Sequence, residues 1–416
     1  MLRLFDTFAG KKKTFRPLKD NVVRIYTCGP SVYNYSHIGN FRTYLFEDVL
    51  VRYLLYKGYR VKRVMNITDV EDKAIVAARR ENVSLAELES EKTRAFFRDW
   101  NALGMTRPDV VAKASEHVPQ MIRMIRRICA RGYCLDGRDG IYFNVRKFKA
   151  YGSLRRIRKR TYFGKAKGDD YAWEGLWDFR LWKRWTRGDG NVRWSSPFGY
   201  GRPGWHIECS AMSIHYLGER FDIHCGGTDN IYPHHENEIA QSKAAYGKMP
   251  AAIWMHAKHL TLDKKKMSKR SGNVLHVKDL TARGVRPKCL RFYLLSLRYR
   301  RPLDFSMKQF RHDVCDCERT RKLMERLSRL KAAVPDLKMS GNGKKDGRKG
   351  ERIAKNILQG FESAMDDDMN TGLAFRRIFQ QMNETEKQMQ EKKLSRKDAV
   401  AIVNAMGKID TVLGVF

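Results

Sequence analysis

Hydrophobic positions near the start of the chain follow a strand–helix–strand order. The β-branched and aromatic run from Val22 to Thr27 predicts a buried strand. Apolar residues at helical spacing predict a helix from Phe41 to Tyr56, and the alternation from Tyr59 to Ile67 predicts the next strand. This order is typical of a parallel α/β sheet, in which ligands bind at the carboxyl ends of the strands, where Cys28 and Thr68 would lie.

The same patterns divide the rest of the chain into a mixed middle and a helical end. In the middle, two short strands are predicted at 140–145 and 221–224, and helices at 84–100, 117–131, 205–217 and 234–246. Towards the end, helices are predicted at 287–297, 307–330, 352–365, 372–391 and 396–413. The end of the chain therefore indicates an all-α bundle, interrupted by a glycine- and lysine-rich loop at 338–350.

A cluster of aromatic residues lies in the middle of the chain. Its members are Tyr171, Trp173, Trp177, Phe179, Trp182 and Trp185. The favoured interpretation is that these rings pack inside an inserted domain. The alternative is a surface on which nucleic-acid bases stack.

The net charge of the chain indicates what kind of partner the protein binds. There are 82 Lys and Arg against 46 Asp and Glu, which gives a formal net charge of +36. This excess favours a polyanionic partner such as nucleic acid; a general basic bias, or a solvated surface without a partner, is the alternative. No signal-peptide pattern or membrane-length apolar run is present, so we expect a cytoplasmic protein with no membrane partner.

Eight cysteines are scattered over the chain, at positions 28, 129, 134, 209, 225, 289, 315 and 317. Such a distribution does not indicate a disulfide framework. Because there is no C-x-x-C pair, a zinc ribbon is not expected, but a metal site built from dispersed ligands stays open.

Two short signatures give the first indication of chemistry. His37-Ile38-Gly39-Asn40 follows a predicted strand and opens a predicted helix, where free backbone N–H groups and the helix dipole favour phosphate. Lys266-Met267-Ser268-Lys269 lies in a lysine-rich loop that would bring positive charge to a developing pyrophosphate. Together they predict a split site for ATP, formed by His37, Gly39, Asn40, Lys266, Met267, Ser268 and Lys269.

A third stretch, HHENE at 234–238, suggests a metal site. His234 and Glu238 are four residues apart, so on a helix they share one face. Cys28 at a strand end and Cys209 on a predicted helix would add two thiolates, and this donor mixture suits zinc. In the alternative interpretation the cysteines are small buried apolar residues and the histidines are only hydrogen-bonded.

Taken together, these motifs resemble those of cysteinyl-tRNA synthetases, a family of class I aminoacyl-tRNA synthetases. The similarity runs from about Leu4 to the C-terminus. It is carried by YTCGP at 26–30, HIGN at 37–40, NITD at 66–69, GRPGWHIEC at 201–209, PHHENE at 233–238 and KMSK at 266–269. The runs at 201–209 and 233–238 are highly specific to that family.

The resemblance implies a fold and its division into domains. The fold class would be α/β, with a Rossmann-type parallel-sheet catalytic domain over residues 1–258 that contains a connective insertion at about 110–200. A junction with the lysine loop would follow over 259–310, and an all-α helical bundle of the tRNA-binding type over 311–416. We expect a monomer.

The resemblance also implies ligands and residue roles. Zn²⁺ would be held by Cys28, Cys209, His234 and Glu238, and the amino acid would be bound by Gly29, Thr68, Trp205, His224 and Asp229. His37 and Asn40 would contact the phosphates of ATP, supplied with Mg²⁺, and Lys266 and Lys269 would stabilise the leaving pyrophosphate. The implied activity is activation of L-cysteine and its transfer to tRNA(Cys), with zinc distinguishing the thiol from an alcohol.

Four positions depart from the pattern of the family. Asn40 replaces a histidine, Arg270 replaces a serine, and Cys225 stands where glycine is usual, so that it would narrow the pocket or compete as a thiolate. The chain stops at Phe416, which leads us to expect that the small C-terminal anticodon-binding domain is missing. Two alternatives to tRNA charging stay open: transfer of cysteine to another acceptor such as an amino sugar, and a non-catalytic RNA-binding derivative.

Overall fold

The computed structural model describes residues 1–156, 177–267, 272–332 and 347–416. Within them the strands are β1 (Arg3–Asp6), β2 (Lys11–Thr14), β3 (Val22–Thr27), β4 (Arg60–Ile67), β5 (Val110–Lys113), β6 (Cys134–Gly137), β7 (Gly140–Phe143), β8 (Phe179–Arg184), β9 (Gly201–Pro203), β10 (Phe221–Gly227), β11 (Ala251–Ala257), β12 (Leu260–Leu262), β13 (Lys265–Lys266) and β14 (Leu303–Phe305). The helices are α1 (Ile38–Tyr56), α2 (Asp72–Glu81), α3 (Leu85–Ala102), α4 (Val118–Ala130), α5 (Trp205–Leu217), α6 (Glu236–Tyr246), α7 (Val277–Ala282), α8 (Pro287–Leu295), α9 (Met307–Ala332), α10 (Arg348–Met365), α11 (Thr371–Gln390) and α12 (Arg396–Leu413).

A five-stranded parallel sheet forms the centre of the catalytic part. Its order is β11-β10-β3-β4-β5, and every neighbouring pair is parallel. Side chains alternate across each strand, so Ile25 and Cys225 pack into the core on the α1 side of the sheet, while Tyr26 and Trp254 pack into the core beside α5 and α6. This arrangement confirms the predicted Rossmann-type α/β class, and it brings the carboxyl ends of β3, β4 and β10 to one edge.

A second, antiparallel sheet of order β6-β7-β8-β9 lies within the region predicted as an insertion. Because β5 pairs with β4 in the central sheet, the separate sheet begins at Cys134 rather than near residue 110. A disulfide joins Cys129 at the end of α4 to Cys134 in β6, a local bond that the scattered cysteines did not lead us to expect.

The aromatic cluster of the sequence divides into two groups in the structure. Phe179 and Trp182 are buried in the core of the inserted sheet, as the packing interpretation predicts, whereas Trp185 is half-buried. Tyr171 and Trp173 lie outside the described residues, as do most of the loop predicted at 338–350.

The end of the chain is helical, as predicted. After a small sheet of order β13-β12-β14, the helices α9, α10, α11 and α12 pack against one another, and α12 also contacts α1. The bundle shares a continuous hydrophobic core with the α1 side of the central sheet. Among the described residues there is no helix with the length and apolar character needed to cross a membrane.

Candidate active site

The first signature forms the N-terminal cap of α1. The Asn40 backbone N–H donates to His37 Nδ1 over 3.2 Å, and the Asn40 side-chain oxygen accepts from the His37 backbone N–H over 3.0 Å. This reciprocal capping box stabilises the start of the helix. Asn40 therefore has a structural use at the position where it departs from the family pattern.

Two glycines of the predicted site lie at close approaches, and at Gly29 the approach is to backbone, which requires glycine. A Cβ on Gly29 would lie 1.7 Å from the backbone oxygen of Asn66, in the neighbouring strand. A Cβ on Gly39 would lie 2.7 Å from the methyl carbon of Met267, so the lysine signature packs directly on the first signature. The two sequence motifs thus meet, as a split nucleotide site requires.

An open cavity of about 340 Å³ lies at the carboxyl edge of the central sheet. The predicted residues that line it are Cys28, Gly29, His37, Gly39, Asn40, Trp205, Asp229, Lys266 and Met267. Residues that sequence reasoning missed line it too, among them Tyr33, Tyr35, Lys73 and His259. Tyr33 and Tyr35 stand between two of the quoted motifs, and that position is the one signal that would have pointed to them.

At the base of this cavity, behind the lining residue Cys28, the four predicted metal ligands converge. One ligand atom from each of Cys28, Cys209, His234 and Glu238 lies within 4.8 Å of the others, and all four residues are buried. The predicted helix over 234–246 begins only at Glu236, after one π-type turn over 231–235. His234 Nε2 nevertheless reaches Glu238 Oε1 at 3.1 Å, because the turn continues into α6.

One oxygen of Glu238 gives independent support for a zinc ion held by these four residues. Glu238 Oε2 lies 2.9 Å from His224 Nε2, but the buried Oε1 forms no hydrogen bond with any described residue, although His234 Nε2 is near. A second overlapping group includes His224 and His235 in place of Cys209 and His234. We favour the group with two thiols, because His224 Nε2 is already used by Oε2. Two sulfurs, one nitrogen and one oxygen are a donor set that zinc accepts.

Further buried histidines contact the predicted ligands. His206 Nδ1 lies 2.9 Å from His234 Nδ1, and His235 Nε2 lies 3.3 Å from Cys28 Sγ. His235 in turn contacts His256 at 2.9 Å. Such contacts fix ring orientation and the basicity of a metal ligand. His206 and His235 stand inside the quoted motifs, but nothing in the sequence around His256 pointed to the site.

Burial sets the protonation of these histidines. It lowers the pKa of His206, His234 and His256 to about 3, so all three rings are neutral at pH 7. The neighbouring Cys209 thiol and burial raise the pKa of Cys28 well above its usual range. Two adjacent buried thiols therefore favour their neutral form unless a cation compensates the charge, which is what a bound metal does.

The other end of the cavity is open to solvent. Lys266 Nζ lies 3.4 Å from Asp229 Oδ1, and His259 Nε2 lies 3.3 Å from the same oxygen. The Lys266 and Asp229 side chains are 68% and 63% exposed. Ser268, Lys269 and Arg270 lie outside the described residues, so Lys266 and Met267 represent the lysine signature in the structure.

Besides Cys209, His234 and Glu238, which lie behind Cys28, three other positions singled out from the sequence lie away from the cavity surface. Thr68 is buried and accepts a hydrogen bond from the Asn66 side chain over 3.0 Å. His224 lies behind the ligands, beside Glu238. Cys225 does not narrow the cavity: it follows His224 along β10, so its side chain points to the opposite face of the sheet, into the core beside α1.

Comparison with known proteins supplies the family. The protein-family model described as "tRNA synthetases class I (C) catalytic domain" matches residues 14–314. A cysteine–tRNA ligase of Protochlamydia amoebophila is 38% identical over 420 residues, covering the whole chain and 86% of that relative, and one of Chlamydia pneumoniae is 40% identical over 421 residues with the same coverage. The chain belongs to the cysteine–tRNA ligase family.

A solved structure gives the same fold for this family member. Mycobacterium tuberculosis methionyl-tRNA synthetase in complex with methionyl-adenylate superposes with a TM-score of 0.72 at 16% identity, covering 94% of this chain and 92% of that one. At this level of identity the likeness is one of fold.

The end of this family member corrects one expectation. Residues 360–416, within the helical bundle, match the DALR domain, which is an anticodon-binding domain. The expectation that the chain lacks an anticodon-binding domain is therefore unsupported in part. The matched residues cover the end of α10, from residue 360 to Met365, and all of α11 and α12.

Proposed function

We propose that this protein activates L-cysteine with ATP and transfers it to tRNA(Cys). The observation that carries this proposal is the position of the buried ligand group. Two thiols, an imidazole and a carboxylate meet at the base of the same cavity in which the two signatures meet. The relatives named cysteine–tRNA ligase, similar over the whole chain, support the assignment.

The buried end of the cavity is proposed to select the side chain of the substrate. Cys28, Cys209, His234 and Glu238 would hold zinc, which when bound favours a thiolate ligand over an alcohol. Trp205 closes one side, with its ring stacked on His234 at 4.5 Å between centroids. Towards the open end, Asp229 lines the cavity as a carboxylate that can accept hydrogen bonds from the amino group of the amino acid.

The open end is proposed to stabilise charge on the phosphates. The substrate carboxylate attacks the α-phosphate of ATP, which arrives with Mg²⁺, and pyrophosphate leaves. His37 and Asn40 stand at the start of α1, where backbone N–H groups favour anions, and Lys266 brings a positive charge. We assign Ser268 and Lys269 to the same role by their place in the signature. No side chain of the protein acts as a nucleophile, so catalysis consists of positioning and charge stabilisation.

Two assays test the proposal in order. Cysteine-dependent exchange of pyrophosphate into ATP measures activation, and transfer of labelled cysteine to a tRNA(Cys) transcript measures charging. We expect both activities from the metal-loaded protein. Absence of exchange contradicts the whole proposal, whereas exchange without charging contradicts the acceptor and favours an amino sugar or another small acceptor.

A further inference from the structure

The disulfide at the start of the inserted sheet is not used by the proposed chemistry. Cys129, in the last turn of α4, is bonded to Cys134, the first residue of β6, while the other six cysteines, all within the described residues, are free. Both bonded residues are half-buried, and neither lines the active-site cavity. They form a separate site, named the 129–134 pair below.

The turn between the two cysteines is held by hydrogen bonds as well as by the disulfide. The Gly132 backbone N–H donates to the Cys129 oxygen over 2.8 Å, and the Tyr133 N–H donates to the Ile128 oxygen over 3.2 Å. The Tyr133 oxygen accepts from the Asn144 N–H over 2.8 Å. Because none of these bonds involves sulfur, we expect the turn to keep the two thiols close together after reduction, in a position to bond again.

Positive charge lies beside the pair. Arg126 precedes Cys129 by three residues, which places the two on one side of α4, and Arg131 stands in the turn itself; both arginines are exposed. The Lys147 side chain reaches the same turn, because its Nζ donates to the Gly132 oxygen over 2.9 Å. Positive charge favours the thiolate, which is the form of cysteine that attacks a disulfide, and it attracts anionic reagents.

Cys315 shows what the second cysteine adds. It is the exposed residue among the free cysteines, and its Sγ donates only to the backbone oxygen of Arg311, over 3.2 Å. A single thiol can form no more than a mixed disulfide with a small molecule. Two adjacent thiols can go further, because the second displaces the small molecule and closes a bond within the protein.

We propose that the 129–134 pair is a reversible oxidation site for small, negatively charged disulfides. In the first step the thiolate of one cysteine attacks a sulfur of the reagent, an S–S bond to the protein forms, and one small thiolate leaves. The thiolate of the other cysteine then attacks the sulfur of the first, which closes the protein disulfide and releases the second small thiolate. Two electrons pass from the pair to the reagent, and the two thiol protons end on the released thiols. The same steps in reverse, with two small thiols as reductant, open the bond.

Closure fixes one of the two chain connections of the inserted sheet. The chain enters that sheet through the turn at 131–133 and leaves it at Gly204, directly before α5. When the bond opens, the edge strand β6 loses its covalent link to α4 and keeps its pairing with β7. We therefore expect backbone amides in Cys134–Gly137 to exchange hydrogen several-fold faster in the reduced protein.

Peptide mapping with trypsin measures the state of the pair directly. Cleavage at Arg131 separates peptide 128–131 from peptide 132–138, and the two stay joined only when the bond is closed. Zinc-loaded protein is equilibrated with mixtures of reduced and oxidised glutathione, and free thiols are blocked before digestion. At about 1 mM reduced glutathione, half-closure should need at least about tenfold less oxidised glutathione than half-modification of Cys315. Cys134→Ser should give no joined peptides.

The rate of closure tests the preference for anionic reagents. Oxidised glutathione, which is negatively charged, should close the pair several-fold faster than uncharged hydroxyethyl disulfide at low salt, and this ratio should fall as salt is added. Arg126→Gln should lower the ratio at low salt. A ratio that does not change with salt would exclude attraction by charge.

Three results of the mapping would overturn the proposal. Joined peptides that persist in a large excess of reduced glutathione would show a permanent bond, and their absence at every glutathione ratio would show that no bond forms. Closure that needs as much oxidised glutathione as modification of Cys315 would show that the second cysteine gives no advantage. None of these results depends on cysteine activation, which pyrophosphate exchange tests separately.

Discussion

The two ends of the active-site cavity differ in how far their side chains are exposed to solvent. At the base, Cys28, Cys209, His234 and Glu238 are buried and in contact with further buried histidines. At the rim, the Lys266 side chain is 68% exposed, and its ion pair with Asp229 spans 3.4 Å.

The contrast separates two tasks. Telling a thiol from a hydroxyl requires groups fixed in a dry site, because an unpaired or displaced polar group is costly only where water cannot replace it. Stabilising a leaving pyrophosphate requires positive charge that can approach as the charge develops, and an exposed lysine on a short strand can do that. We therefore expect substitutions at the base to change both metal content and substrate choice, and substitutions at the rim to change rate alone.

The largest loss of activity is expected from replacing a predicted metal ligand at the base of the cavity. Cys209→Ser replaces a soft sulfur ligand by a hydroxyl, so we expect loss of bound zinc and a fall of at least about 10³-fold in cysteine-dependent exchange. Zinc per protein, measured by elemental analysis, gives a readout independent of activity. Cys317→Ala is the matched control, because it removes another buried thiol far along the chain in α9. A Cys209→Ser protein that keeps full zinc would contradict the assignment.

A smaller loss of activity is expected from a substitution at the rim of the cavity. Lys266→Ala removes an exposed charge, so we expect kcat of exchange to fall about 10²-fold with zinc content, folding stability and the KM for cysteine unchanged. Lys265→Ala is the control, because Lys265 is also exposed on the same two-residue strand but does not line the cavity. Equal losses in the two variants would show that Lys266 acts only through general charge.

The smallest effect should come from Cys225, on the opposite face of the sheet from the ligands. Cys225→Ala leaves a small space in a packed core, so we expect the free energy of unfolding to fall by about 1 kcal/mol. The kcat and KM for cysteine should stay as in wild type. Denaturant unfolding and exchange assays measure the two quantities. A changed KM for cysteine would show that the α1 side of the sheet communicates with the base of the cavity.

Much of the fold was accessible from the sequence, because its strongest signals are local. The strand β3 was predicted with its observed bounds, and so were the helices α5 and α12, because periodicity and terminal residues agree there. The sequence could not show that β5 joins the central sheet, since pairing between β4 and β5 is a long-range contact. Nor did it predict the Cys129–Cys134 disulfide, which depends on how a helix end meets a strand.

Site residues that stand in local motifs were predicted, whereas those brought to the site by long-range packing were not. The four predicted metal ligands stand in motifs, and the structure brings them together. Cys225 was placed near the pocket because it is adjacent to His224 along the chain, but neighbours on a strand face opposite sides. His256 belongs to β11 and reaches the site only through His235, a contact made by tertiary packing alone.

The buried end of the cavity is what we expect to make cysteine the substrate. The decisive measurement is kcat/KM for cysteine and for serine in ATP–pyrophosphate exchange with zinc-loaded wild-type protein. We expect a preference for cysteine of about 10⁴-fold or more, because a site built for one polar contact rejects an analogue that cannot make it. A serine value within tenfold of the cysteine value would contradict it.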